Sequence, residues 1–324
     1  MRLVHGMDLR QLRAFVAIVD TGGFARAAAQ VNLSQPALSR QIHSLESDLG
    51  VRLFDRIGRR VQLTAEGEDL LRRSRRLLTD ADSLGERARA LKGGRTGVLR
   101  VGATPQAIET VLAGFLRRYR RRHPGVEVHL VEDGGARLPE RLERGDVNLA
   151  MIPAGDARFH WRELAPLYVL AVLPGAHRLG RRAKLDIGEL ADEPLLLTRR
   201  EFGSRRWFDA ACQVAHVRPR VLLESGAPDT LVALARAGYG TAIVPSNTRI
   251  PRAGIRAVPL VHRGITIGVW ATIAWDPRRF HAPYAEHFVR ELVAYSRHAF
   301  PGRNLSRRTL PPPRPKRLAA ELSP

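Results

Sequence analysis

The stretch Ser34-Gln35-Pro36-Ala37-Leu38-Ser39-Arg40-Gln41-Ile42-His43-Ser44-Leu45-Glu46-Ser47-Asp48-Leu49-Gly50 reads as one helix with two unlike sides. Ser34 suits the N-cap, and Pro36 falls in the first turn, where its missing N–H leaves no helical bond unmade. Leu38, Ile42, Leu45 and Leu49 recur at helical spacing, and Gly50 ends the run. The other side presents Gln35, Ser39, Arg40, His43 and Ser47. A helix that reads base edges in the major groove needs such an apolar back and a polar, basic front. The plainer alternative is a small helical dimerisation module with a solvated face.

The flanks extend the pattern. Leu9, Leu12, Val16 and Val19 mark a preceding helix that Thr21-Gly22-Gly23 stops, and Phe24 to Val31 forms a second short one with Ala27, Ala28 and Val31 inward. After Gly50, Leu53–Arg56 and Val61–Leu63 read as two short strands joined by Ile57-Gly58-Arg59-Arg60. Arg56, Arg59 and Arg60 on that hairpin suit phosphates or a narrow minor groove. From the Thr64 cap to Leu91 runs a long helix in which Leu70, Leu77, Leu84 and Leu91 repeat every seven residues, with Ser74, Ala81 and Ala88 between them. Such a seam pairs with another helix, so self-association is expected.

Beyond the linker Gly93-Gly94-Arg95-Thr96-Gly97 the pattern alternates between strand and helix. Strands at Val98–Val101, Val126–Val131 and Val147–Ile152 enclose helices at Ala107–Arg122 and Leu138–Arg144. A second βαβαβ unit follows, with strands at Leu195–Leu197, Val221–Leu223 and Ala242–Val244. Each unit implies a parallel sheet with helices on its faces. Strand-like links near Tyr168–Leu173 and Ile265–Ala274 could connect the halves, and a helix from Tyr284 to Ala299 packs back on the first. Residues 301–324, with Pro311-Pro312-Pro313-Arg314-Pro315, are expected to be a disordered tail.

At 324 residues, 44% hydrophobic and 26% charged, the composition is that of a globular chain with two or three domains. The 53 basic and 32 acidic residues give +21, which points toward a polyanionic partner. That charge is spread along the chain and only three basic residues are lysines, so it does not by itself locate a nucleic-acid site. Cys212 is the single cysteine, which excludes an internal disulfide framework and a multi-Cys zinc site; within Phe208–Cys212 it reads as a core thiol. The histidines lack metal-ligand spacing, and no P-loop, HExxH or Gly-x-Ser-x-Gly elbow occurs, so neither metal, cofactor nor enzymatic activity is expected. Gly238-Tyr239-Gly240 follows a helix and precedes a strand, the reverse of a dinucleotide loop. Met1–Gly6 carries no apolar signal core, and no apolar run approaches the roughly 20 residues that span a bilayer; the cytoplasm is the expected compartment.

The run Ser34 to Ile42, with Leu45-Glu46, Leu49-Gly50, Leu53-Phe54, Arg56, Arg59, Leu63-Thr64 and the upstream Phe24 and Ala27-Ala28-Ala29, resembles the LysR-type transcriptional regulators. Gly97–Gly102, His123-Pro124-Gly125-Val126, Ala237–Gly240 and Val244-Pro245 look like that family's effector domain. The resemblance implies an α/β effector domain of two hinged Rossmann-like halves, similar to periplasmic binding proteins, over residues 93–300. An all-α winged helix-turn-helix domain (1–63) and a linker or dimerisation helix (64–92) precede it. It further implies base contacts from Gln35, Pro36, Ser39 and Arg40, with Arg59 at the wing. The effector cleft is expected near Thr104, Pro105, Gln106, Gly135, Phe202, Gly203, Ser204 and Pro228. Partners by resemblance are double-stranded promoter DNA with two-fold related half-sites, a small-molecule effector of anionic character, and a second or further copies in a homodimer or homotetramer. RNA polymerase is a partner the resemblance allows. The sequence departs from the family at Asn148, where Asp is usual. A nucleoid-style DNA packager or a cleft enzyme would be told apart by uniform DNA binding or by turnover of a ligand.

Overall fold

The computed structural model describes residues 7–57, 60–91, 96–251, 253–307 and 309–314. They divide near Ala88 into two compact units. The first contains α1 (Leu9–Thr21), α2 (Phe24–Gln30), α3 (Gln35–Leu49), the antiparallel pair β1 (Phe54–Ile57) and β2 (Arg60–Leu63), and α4 (Ala65–Leu91). The caps follow the sequence. Asp8 forms a capping box with Gln11, Ser34 Oγ accepts the N–H of Ala37, and Thr64 Oγ1 accepts that of Gly67. Gly22 and Gly50 end α1 and α3 in the left-handed region.

The core of this unit joins Leu12, Phe15 and Ile18 of α1 to Leu38, Ile42 and Leu45 of α3. Phe54 meets the edges of Phe15 and Phe24. The buried side of α1 thus differs from the expected one: Leu9 is 43% exposed, and Phe15 and Ile18 take the centre. Leu12, Phe15 and Ile18 lie three apart, so they share the face that α3 covers.

The second unit is built on one continuous set of strands. Its first half holds β3 (Gly97–Ala103), β4 (Val126–Glu132) and β5 (Leu149–Pro153), all parallel. Between β3 and β4 the chain forms α5 (Pro105–Ala107), a π-helical turn and α6 (Ala113–Arg122), where one unbroken helix was expected; α7 (Leu138–Arg144) joins β4 to β5. The 15-residue β6 (His160–Pro174) then crosses to the second half. There follow β7 (Leu185–Asp186), β8 (Pro194–Thr198), α8 (Gly203–Val214), β9 (Arg220–Ser225), α9 (Pro228–Arg236) and β10 (Thr241–Pro245). β8 runs parallel to both β9 and β10. β11 (Ile255–His262), which the residue pattern does not predict, pairs antiparallel with β6, and β12 (Ile265–Thr266) turns back on it. β13 (Gly268–Trp275) returns antiparallel to β6 and beside β5, and α10 (Pro283–Ala299) buries Tyr284, Phe288 and Leu292 in the first half.

Two crossing strands therefore link two α/β halves, each with its own core. Asn148 fits without the usual Asp. Its Oδ1 accepts the N–H of Arg100 at 2.7 Å, a job needing only an acceptor. Cys212 is a core thiol, pushed up to about 11 by burial.

The tail differs from expectation over residues 301–307 and 309–314. Thr309 and Pro312 are buried, and Trp270 Nε1 donates to the Pro312 carbonyl at 2.9 Å. Pro311, Pro312 and Pro313 fix their own φ angles, so ordering them sacrifices little chain entropy. Residues 315–324 lie outside the described residues.

Candidate functional site

The first site is the outer side of α3. Gln35, Pro36, Arg40 and His43 are exposed there and Ser39 half-buried, with Gln35, Ser39 and His43 about one helical turn apart and Pro36 one turn from Arg40. The ring of His43 lies 2.9 Å from the Ser39 carbonyl. Behind them Leu38, Ile42 and Leu45 fix the helix against α1, and Gln11 Nε2 reaches Ser44 Oγ at 3.2 Å. Glu46, matched in sequence without a role, ties α3 to the hairpin: its Oε1 accepts the N–H groups of Leu53 at 2.8 Å and Phe54 at 3.3 Å. Arg56 belongs to β1, but its side chain is outside what is described, and Arg59 lies outside the described residues.

α4 is fastened to the same unit. Leu71 is buried, Leu70 and Leu78 pack on the core, Arg13 pairs with Asp82 at 2.8 Å, and Arg75 pairs with Asp20. The expected seam is thus shared out. Leu70 and the buried Ser74 face their own unit, whereas Leu77 and Leu84 stay 48% and 71% exposed. Leu91 is the last residue of α4, and its side chain is outside what is described.

The second site is a cavity of about 80 Å³ between the two α/β halves. Thr104, Gln106 and Gly135 line it from the carboxyl ends of β3 and β4, and Phe202, Gly203 and Ser204 from the start of α8. Six of the eight expected residues therefore converge. Pro105 and Pro228 do not line the cavity; Pro228 is buried in the first turn of α9. The sequence does not show most of the wall: Met151, Ile152, Leu167, Trp207, Pro245, Ala271 and Phe300 bring an apolar surface from remote parts of the chain, and Asn247 adds a polar group.

The polar groups divide by role. Thr104 Oγ1 caps α5 by accepting from Ala107 N at 3.4 Å. Ser204 caps nothing: its Oγ and the Asn247 Oδ1 are buried with no hydrogen-bond partner among the described residues. The residues are only 4% and 6% exposed, so both atoms are costly to leave unpaired. The first N–H groups of α8 also have no acceptor within the helix. Of the arginines near Ser204, Arg205 is buried and committed to Asp209, Glu224 and the Thr198 carbonyl, while Arg199 and Arg200 are exposed and do not line the cavity. Arg206 does line it. A second pocket, of about 410 Å³, shares Gly135, Ile152, Pro153 and Arg206 with the cavity and adds Glu140, Asp156 and Arg158.

The Gly134-Gly135 loop is steadied by Asp133. Burial works to raise that carboxyl, but hydrogen bonds from Arg141 and the Gly134 N–H, with Arg137 nearby, hold it below its ordinary range.

Residues 9–68 match the family described as "Bacterial regulatory helix-turn-helix protein, lysR family", and residues 92–297 match "LysR substrate binding domain". The chain belongs to the LysR family of transcriptional regulators. It is 35% identical over 264 residues to the regulator IlvR of Caulobacter vibrioides, covering 79% of this chain and 88% of that one. It is 31% identical over 247 residues to AlsR of Bacillus subtilis, covering 75% and 82%. Among solved structures, full-length CbnR complexed with its target DNA aligns with a TM-score of 0.61 at 27% identity, over 90% of this chain and 100% of that chain. As a LysR-type regulator the protein binds specific DNA, works as an oligomer, and has its activity modulated by a small molecule in the C-terminal domain; it is not an enzyme. No helix among the described residues is long and apolar enough to cross a membrane.

Proposed function

We propose that Gln35, Pro36, Ser39 and Arg40 carry the base readout, with Arg56 and Arg59 on the hairpin contacting the sugar–phosphate backbone. The observation that carries this reading is the polar outer side of α3, set against a core that locks the helix in place. Readout requires pre-positioned donors, and a packed helix presents them at fixed spacing. Leu77 and Leu84, the exposed members of the α4 heptads, join the chain to a second copy, and the target is then a pair of two-fold related half-sites. The protein works in the cytoplasm.

The effector is a small carboxylate with an apolar body. Ser204 Oγ, the first N–H groups of α8 and Arg206 supply donors and charge at one end of the cavity, while Leu167, Trp207 and Phe300 supply apolar surface. A ligand of that class would also give Ser204 the partner it lacks. A thermal-shift screen of small carboxylates and their neutral analogues tests this, repeated on Ser204→Ala and Arg206→Ala. The expected result is stabilisation by a carboxylate that both substitutions reduce. Stabilisation of all three proteins alike would refute the placement, and a response to neutral or cationic compounds alone would refute the class.

A further inference from the structure

Beyond the matched family span, which ends at residue 297, the chain does not leave the molecule. Phe300, at the end of α10, is buried in the first half and lines the effector cavity. Gly302 then turns in the left-handed region at φ 82°, so close to Ser246 that a Cβ would meet its Oγ at 2.9 Å. Ser246 follows β10 of the second half and holds β6 from both directions: its N–H donates to the Tyr168 carbonyl, and its Oγ accepts the Tyr168 N–H. Further on, Thr266 Oγ1 of β12 donates to the Leu310 carbonyl and lies 3.1 Å from Thr309 Oγ1. Trp270 of β13 donates its indole N–H to Pro312, and the Arg314 guanidinium lies 4.8 Å from the centre of the Trp270 ring and 3.7 Å from Glu163 of β6.

These contacts straddle the crossing. β6 leaves the first half between Tyr168 and Val169, and the partner strand enters it between Ile267 and Gly268. Ser246 and Thr266 lie on the second-half side of that line, and Trp270 and Glu163 on the first-half side. A bend of one half against the other must therefore change the span that residues 302–307 and 309–314 bridge. We propose that this segment is a strap that restrains hinge motion between the two halves, seated through the Trp270 indole reading the backbone of Pro312 and stacking on Arg314. An aromatic N–H on a proline carbonyl, beside a cation on the same ring, is how aromatic-lined grooves take proline–arginine segments. Here the occupant is the chain's own. The proposal is independent of which molecule fills the cavity.

Amide hydrogen exchange on the full-length protein tests it, comparing the native chain with Trp270→Phe, which keeps the ring but loses the donor, and with Arg314→Glu, which sets like charges beside Glu163. In the native chain the amides of residues 303–307 and 309–310 are expected to exchange at least roughly tenfold more slowly than an unstructured peptide. Both substitutions should abolish that protection and speed exchange several-fold at 164–170 and 266–272, leaving Leu99–Ala103 and Leu195–Leu197 unchanged. Unprotected strap amides in the native chain, or hinge amides indifferent to both substitutions, would overturn the proposal. Acceleration spread evenly over the whole domain would overturn it too, since the strap would then add general stability and no restraint on the hinge.

Discussion

Arg40 stands exposed on the outer side of α3 beside Ser39, with the buried Leu38 and Ile42 behind it, so its removal should not disturb the core. Arg40→Ala is expected to lose about 1–3 kcal/mol of discrimination at one position of each half-site, with far less effect on random DNA. Competition binding with single-base operator variants checks this, and equal weakening on every sequence would remove Arg40 from readout. A second residue-scale outcome concerns acid. Asp276 is buried, which works to raise its carboxyl, but hydrogen bonds from the Arg278 side chain and N–H, with Arg279 nearby, hold it below its ordinary 3.8. A depressed folded value stabilises fully above the unfolded one and fades as pH falls through the folded one. Asp276→Asn should thus lower the unfolding midpoint at neutral pH, with the deficit shrinking as pH falls below 3.8 and through the depressed folded value. A constant deficit across pH would point to lost packing instead. The buried Cys212 should meanwhile resist thiol reagents until the chain unfolds.

Among the elements, α4 carries the clearest prediction. Leu77→Arg places a charge among the exposed leucines without touching Leu71 of the core, and sedimentation should show a shift toward monomers. An unchanged oligomer would free this helix from the interface. The elements also show what a sequence reveals. α3 is legible throughout, because cap, apolar spacing and terminating glycine all agree. The α4 heptads are legible as a repeat, yet sequence could not say that Leu70 and Ser74 face their own unit, since one helix can serve two neighbours. β11 went unread because Pro259 interrupts its pattern; in the fold that residue pairs with Leu170 in the register of β6. The cavity is half legible. Thr104 and Ser204 fall at strand ends and helix starts, where ligands of such sheets bind, but Leu167, Trp207 and Phe300 meet only when the chain folds. The Pro-rich tail is not legible because composition measures what a segment can bury alone, and residues 309–314 lie against a surface already built.

For the whole molecule, one unit offers a helix with an exposed polar side and the other a cavity whose buried Ser204 and Asn247 lack partners among the described residues. A ligand regulates only by favouring one arrangement of the oligomer over another, so equal affinity for both would shift nothing. If α3 selects particular sequences, the protein's +21 charge does not bind DNA indiscriminately. The most direct test is to sequence the genomic fragments retained by the purified full-length protein at near-physiological salt, since charge-driven binding fades as salt rises. A small set of promoters sharing two-fold related half-sites is expected, with Arg40→Ala relaxing one position in each half. Even retention of fragments across the genome, identical for the native protein and Arg40→Ala, would contradict it.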